Sequence, residues 1–217
     1  MIPVIKKYFL FISFFLTLFL NGQNFDAVVA EMAVEHEAEI IELRHWFHQN
    51  AELSNREFKT AEKISDALIK IGLKPETGIA KTGVVAVLKG GKPGPVVALR
   101  ADIDGLPVKE RADLPWKSNM VGEYNGEKVP VMHACGHDTH TAMLLGVAKI
   151  LYRIKEDIPG SIKFIFQPAE EGAPAGEEGG AELMVKEGVL QNPDVAAIFG
   201  LHIWSQFPTG KIYLRPK

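Results

Sequence analysis

The 217-residue chain has one cysteine, Cys135, and no surplus of positive charge. A single cysteine excludes an intramolecular disulfide framework, so this thiol is buried, reactive or metal-bound. With 24 Lys and Arg against 27 Asp and Glu, the net charge of -3 leaves no basic footprint, and nucleic-acid binding is not expected. Internal repeats are lacking, and the only biased tract is the glycine-rich, acidic stretch 172–180. Long apolar runs are scarce too. The run from Tyr8 to Leu20 falls short of the ~20 residues that a membrane-spanning helix needs. What is left, 47% hydrophobic and 24% charged, is the composition of an ordinary globular protein.

That apolar run follows Lys6 and Lys7 and precedes Asn21-Gly22-Gln23, which is the layout of a secretory signal. Residues 1–22 are therefore expected to be a signal peptide cleaved after Gly22, sending the protein to the periplasm or outside the cell. Leu20, third before the cut, departs from the small-residue rule, so a membrane anchor left uncleaved is the alternative. In an oxidising compartment an unpaired thiol needs protection, and metal ligation supplies it.

Further along, Ser54-Asn-Arg-Glu57 reads as a capping box, and Phe58, Ala61, Ile64, Leu68 and Ile71 then recur at helical spacing until Gly72. Val84–Leu88 and Val96–Leu99 read as strands joined by a Gly- and Pro-containing loop. Ile162–Phe166 and Val195–Phe199 look like two further buried strands, and Asp138 is placed to cap a helix beginning at Thr139. On this reading Asp102 and Asp104 follow the second strand, Glu170 and Glu171 the third, and His202 the fourth. Cys135 and His137 precede a helix. Polar groups gathered at the carboxyl ends of strands predict one pocket in an open α/β sheet.

The chemistry concentrates in Met132-His-Ala-Cys-Gly-His-Asp-Thr-His, where the only thiol sits among three histidines and an aspartate. A lone cysteine is most often a small buried hydrophobe, and a lone histidine a satisfied core or surface residue. Packing gives no reason, however, to gather so many titratable groups. Thiolate and imidazole are strong ligands for borderline-soft dications, and Cys135-Gly-His137 lets two donors come from one turn. Glu170-Glu171 and His202 supply the carboxylates and further imidazole that a hydrolytic metal site needs.

Together with His48-Gln-Asn-Ala-Glu-Leu-Ser, Leu99-Arg-Ala-Asp-Ile-Asp-Gly-Leu-Pro, Phe166-Gln-Pro-Ala-Glu-Glu-Gly and Phe199-Gly-Leu-His, that stretch resembles the amidohydrolase branch, subfamily D, of peptidase family M-twenty. This group includes hippurate hydrolases, auxin-conjugate hydrolases and N-acyl-amino-acid amidohydrolases, and the motifs stand in family order from about His45 onward. The resemblance implies a three-layer α/β/α zinc-peptidase-like catalytic domain, of which residues 23–217 are the N-terminal part. It implies two divalent ions (zinc, manganese, cobalt or nickel), with Cys135 bridging them, His137 and His202 completing one, and Glu171 serving the other. Glu170 is then the general base and Asp104 the carboxylate that orients the site. Asp102 stands where the wider clan has a liganding histidine, and Ala51 replaces a usual proline. The implied substrate is a small N-acyl amino acid or similar amide. The family's lid domain, through which full-length relatives are expected to dimerise, and a final histidine ligand have no counterpart before Lys217. Two alternatives stand beside this reading: an inactive, truncated metal-binding relic, and a hydrolase using Cys135 as nucleophile.

Overall fold

The computed structural model describes residues 25–214; the expected signal segment falls outside the described residues. No helix among the described residues is long and apolar enough to cross a membrane. The elements in chain order are α1 (Asp26–Gln49), α2 (Phe58–Ile71), β1 (Glu76–Ile79), β2 (Gly83–Lys89), β3 (Lys92–Asp102), β4 (Met120–Tyr124), β5 (Glu127–Val131), α3 (His137–Arg153), a 3-10 turn at Lys155–Asp157, β6 (Pro159–Gln167), α4 (Gly180–Lys186) and β7 (Val195–Gly200).

Five strands form one sheet in the order β1-β2-β6-β3-β7, and β4 with β5 forms a separate hairpin. β3 runs parallel to both β6 and β7, while β2 is antiparallel to β6. The loop after β2 therefore carries the chain past one strand position, which β6 later fills. Alternation along the central strands makes two cores. Val84, Ala86, Leu88, Phe164 and Phe166 face α1, α2 and α3, meeting Phe47, Ile64, Leu68 and Leu145. Val85 and Ile165 face the other way, toward Met184 of α4 and Val189. Apolar residues on both faces are what a covered, largely parallel sheet requires. The result is the three-layer α/β/α arrangement expected from the motifs.

Three expectations need correction. α2 buries Ala61, Ile64 and Leu68 and stops at a left-handed Gly72, yet Ser54-Asn-Arg-Glu57 is no capping box. The helix begins at Phe58 with no cap from Ser54 or Glu57, because both are drawn into buried tertiary hydrogen bonds; the Glu52 carboxylate accepts the first-turn amides of Lys59 and Thr60 instead. α3 starts at His137, not Thr139, so Asp138 lies inside its first turn, where it accepts from Arg44 and pairs with His48. β7 is a strand but not a buried one. It pairs only with β3 among the described residues, and Ile198 and Phe199 are 50% and 62% exposed.

Between α4 and β7 the chain is fastened by a buried cation. Lys163 of β6 points into the α4 layer and donates to the carbonyls of Val189, Gln191 and Pro193 at 2.9, 2.7 and 3.1 Å.

Candidate metal centre

β3 and β6 end level, with Asp102 opposite Gln167, and β7 ends at Gly200, opposite Arg100. The segments leaving these three parallel strands carry Asp104, Glu170, Glu171 and His202 to one edge of the sheet. From the other side comes Cys135-Gly136-His137 at the start of α3. Gly136 has φ 92, a conformation that an L side chain resists, and it turns the chain so that Cys135 and His137 both reach the edge.

His137 is wholly buried and its orientation is fixed from behind. Its Nδ1 lies 2.9 Å from the Asp104 carbonyl oxygen and 3.2 Å from Asp104 Oδ1, so Nδ1 carries the proton and donates. Asp104 is held in turn by Ser54 Oγ at 2.7 Å and by the Glu171 amide at 3.0 Å. Burial opposes its ionisation, but the His137, Glu171 and Ser54 hydrogen bonds outweigh it and keep the carboxyl below its ordinary range. The His137 Nε2 is left facing the site, buried and without a hydrogen-bond partner among the described residues. Burial opposes charge on the ring, but the Asp104 hydrogen bond and the Asp102 charge prevail and raise its pKa, so this nitrogen offers a place to a cation, either a proton or a dication. Around it stand Glu170 Oε2 at 3.6 Å, Asp102 Oδ2 at 3.7 Å and Glu171 Oε1 at 3.8 Å. An imidazole locked by a carboxylate on one nitrogen and orphaned on the other is the state a metal-ligating histidine takes.

His202 repeats the pattern at the surface. Its Nδ1 donates to the Ile203 carbonyl at 2.6 Å, leaving Nε2 3.6 Å from Cys135 Sγ. His140, the neighbouring ring, is different. Its Nε2 accepts the Ile203 amide at 2.9 Å, so Nδ1 must be the donor to Asp102 at 2.5 Å, and no lone pair remains for an ion. Asp102 is likewise engaged, by His140 on Oδ1 and by Arg100 on Oδ2 at 2.7 Å. Burial raises its pKa, yet the His140 hydrogen bond and the His137 and Arg100 charges prevail and hold it at about 2.

Cys135 Sγ, a His137 nitrogen and a Glu171 oxygen lie within 4.8 Å of one another, as do one side-chain oxygen of Asp102 and one ring nitrogen each of His137, His140 and His202, although the hydrogen bonds of His140 withdraw it from ligation. All six candidate site residues thus meet at this edge: the Cys135 sulfur is in reach of donor atoms of His137, Glu171 and His202, with Glu170 beside them and Asp104 behind. Without a cation the Cys135 thiol is pushed up to about 12, first by burial, then by Glu171, Glu170 and Asp102. A nucleophilic cysteine sits in electropositive surroundings. These are the reverse, and they suit a thiolate whose charge a dication offsets.

The family model described as peptidase family M20/M25/M40 matches residues 98–217. The chain belongs to this family. It is 46% identical over 172 residues to thermostable carboxypeptidase 2 of Saccharolobus solfataricus, covering 79% of this chain and 40% of that protein. It is 43% identical to an N-acyl-L-amino acid amidohydrolase of Geobacillus stearothermophilus, covering 85% of this chain and 46% of that one. A crystal structure of a dinuclear metal-binding peptidase of the same family from Bacillus subtilis superposes with a TM-score of 0.70 at 39% identity, covering 81% of this chain and 45% of that one. The chain thus spans less than half the length of each of these family members.

Beside Glu171 the candidate site opens into a cavity of about 510 Å³, lined by Leu53, Leu106, Pro107 and Tyr124 together with the polar Ser54 and Asn125, among others. Arg56 reaches its edge but is spent on Glu177, with contacts of 2.5 and 3.2 Å. The β4–β5 hairpin that carries Tyr124 is not among the elements expected from the sequence, although Asn125-Gly126, both at positive φ, is a strong signal for a two-residue hairpin turn. Arg100, His140 and Ser54 are the other residues whose part in the site the motifs do not disclose. Ser54 and His140 have partners far away in sequence, and Arg100, although it pairs with Asp102 two residues on, reads in the sequence only as an alternating position of a strand.

Proposed function

We propose that this chain supplies the metal-binding wall of an amidohydrolase that cleaves the amide bond of N-acyl amino acids or related small conjugates. The observation that carries the reading is His137, fixed through Nδ1 by Asp104 and presenting a buried, unpartnered Nε2 to Cys135, Glu170 and Glu171. Cys135, His137, Glu171 and His202 are the residues that would hold two ions, with Cys135 shared because its sulfur lies within reach of the other three. Zinc, manganese, cobalt and nickel all suit this donor set, and such ions polarise an amide carbonyl and lower the pKa of water toward about 7.

The protein's own groups do the rest. Asp104 keeps His137 in one tautomer. Glu170, 34% exposed, takes a proton from the attacking water and returns it to the departing amine. The cavity beside Glu171, whose lining mixes Leu53, Leu106 and Pro107 with Ser54, Glu123 and Asn125, receives the acyl arm, because its one cation, Arg56, is already neutralised by Glu177 and offers little to a carboxylate. The cysteine-nucleophile alternative has no support from the thiol's surroundings. We also take residues 1–22 as an export signal, so exported protein should begin near Gln23 by N-terminal sequencing.

The test pairs two variants, assayed on this chain and on the full translation product of its reading frame. Cys135→Ser should lose bound metal by elemental analysis while keeping its circular dichroism. Glu170→Ala should keep metal and lose about 10²–10⁴ in kcat toward N-acetyl or N-benzoyl amino acids. A full metal complement in the first variant would contradict the bridging role of Cys135, and near-parental kcat in the second the acid–base role of Glu170. Inhibition by thiol alkylation of the metal-loaded protein, with indifference to chelators, would revive the cysteine nucleophile.

A further inference from the structure

Glu57 stands at the position preceding α2, where a carboxylate would ordinarily cap the helix, and it makes no cap. Its side chain is instead wholly buried. Oε1 accepts the amide of Ala169 at 2.8 Å, across 112 residues of sequence, and Oε2 accepts the hydroxyl of Thr82 at 2.6 Å. A carboxylate taken out of water in this way is costly unless its hydrogen bonds are made, and here both oxygens are used.

The recipient of that grip is unusual. Ala169 has φ 49, in the left-handed region that an alanine enters only when its surroundings insist, and its side chain is buried. Its carbonyl side is closed as well: a Cβ on Gly180 would come within 2.8 Å of the Ala169 oxygen. The next residues are Glu170 and Glu171, and the Glu171 amide is held by Asp104 Oδ2 at 3.0 Å. Two buried carboxylates therefore hold the backbone on either side of Glu170, one from the α2 face and one from the β3 end.

We propose that Glu57 is a positioning residue, which by accepting the Ala169 amide keeps the strained Ala169–Glu171 backbone in the conformation that presents Glu170 to the site. This rests on the acid–base role proposed for Glu170. Loss of the Ala169 contact would let the peptide relax out of the left-handed region and swing the Glu170 carboxylate away. A displacement of about 1 Å in a reacting group costs on the order of 10²-fold in rate.

The experiment compares Glu57→Leu, which fills the space but accepts no hydrogen bond, with Glu57→Gln, which still accepts from Ala169 and can donate to Thr82. Two quantities are measured: hydrogen exchange at the Ala169 amide by NMR, which needs no turnover, and kcat with KM in the active protein. In Glu57→Leu the Ala169 amide should exchange about tenfold faster or more, as expected for a lost hydrogen bond. There kcat should fall between about 10- and 100-fold with KM within about threefold, and Glu57→Gln should recover most of both. A folded Glu57→Leu protein with parental exchange and kcat would show that Glu57 only fills space. Glu57→Gln falling as far as Glu57→Leu would show that the charge, not the acceptor, matters; either result overturns the proposal. If Glu57→Leu does not fold, Thr82→Val loosens the same carboxylate from its other side, and parental Ala169 exchange in that variant overturns it equally. Glu170→Ala is the control. Parental kcat there sinks the acid–base reading alone, and Ala169 exchange continues to report on Glu57.

Discussion

On the β3–α3 side of the centre Asp102 and His137 are wholly buried and bonded to Arg100, His140 and Asp104, whereas on the β7 side His202 stands exposed on a segment joined to that network through the Ile203 amide and Cys135. The first wall is a preorganised template, whose histidine tautomer and direction are fixed before any ligand arrives. The second is added by a strand with one hydrogen-bonded neighbour among the described residues and little cover. Local opening is easiest where few apolar contacts and much exposed backbone coincide, so the two walls should differ in stability as well as in chemistry.

Removing one histidine from each wall is the sharpest way to test that difference. His137→Ala should abolish tight metal binding in a calorimetric titration, a loss beyond the roughly 10- to 100-fold that removing a supporting partner costs. His202→Ala should bind more weakly than the parent but measurably. Equal losses would mean that the two walls contribute alike. Asp104→Asn comes next in size. It sets an amide group where the carboxylate now accepts from Ser54, His137 and Glu171, and metal affinity should fall by about 10- to 100-fold with the fold retained.

Acid and base should act on two buried carboxyls, Asp102 of the first wall and Glu57 behind Ala169, in opposite senses. Asp102 has a folded pKa of about 2 against an ordinary 3.8, so its contribution, roughly 2 kcal/mol, is complete above pH 3.8 and is lost as pH falls through about 2. Glu57 runs the other way: burial, eased by its Thr82 and Ala169 hydrogen bonds, raises it from 4.5 to about 7. A carboxyl that holds its proton more tightly when folded favours the fold below pH 4.5 and loses that advantage as pH rises through about 7. Glu57→Gln should therefore flatten the decline in urea-melt stability between these values, and an unchanged slope would show that another group causes it. The smallest effect is expected on β7. Phe199→Ser should change the stability of this chain by no more than about 0.5 kcal/mol, and a loss of several times that would reveal that the strand is covered in solution.

Much of the centre was legible because its residues come as short local motifs: Cys135-Gly-His137 needs only one turn, and Glu170-Glu171 and His202 follow apolar runs that do form strands. What failed depended on partners distant in sequence. Ser54 and Glu57 match a helix cap in pattern, and only the fold shows that one is taken by Asp104 and the other by Ala169. α1 went unread because few of its residues are fully buried, so its apolar stripe is thin. β7 reads as core from composition alone, since apolarity does not say whether anything lies over a strand. His140 and His137 are chemically alike in the sequence; the Ile203 amide on one and not the other is what separates a spent ring from an available one.

The ammonium of Lys163 gives the exposed wall a remote anchor. Three carbonyls converge on it as they would on a bound potassium ion, and they belong to the bend from which β7 departs. Where His202 stands is thus set partly at the opposite end of its own strand. Reagents that acylate amines should pass over this lysine while the molecule is intact. A substitution such as Lys163→Met would strand three carbonyl dipoles and shift the outgoing strand, detuning the centre from a point that touches none of its proposed ligands.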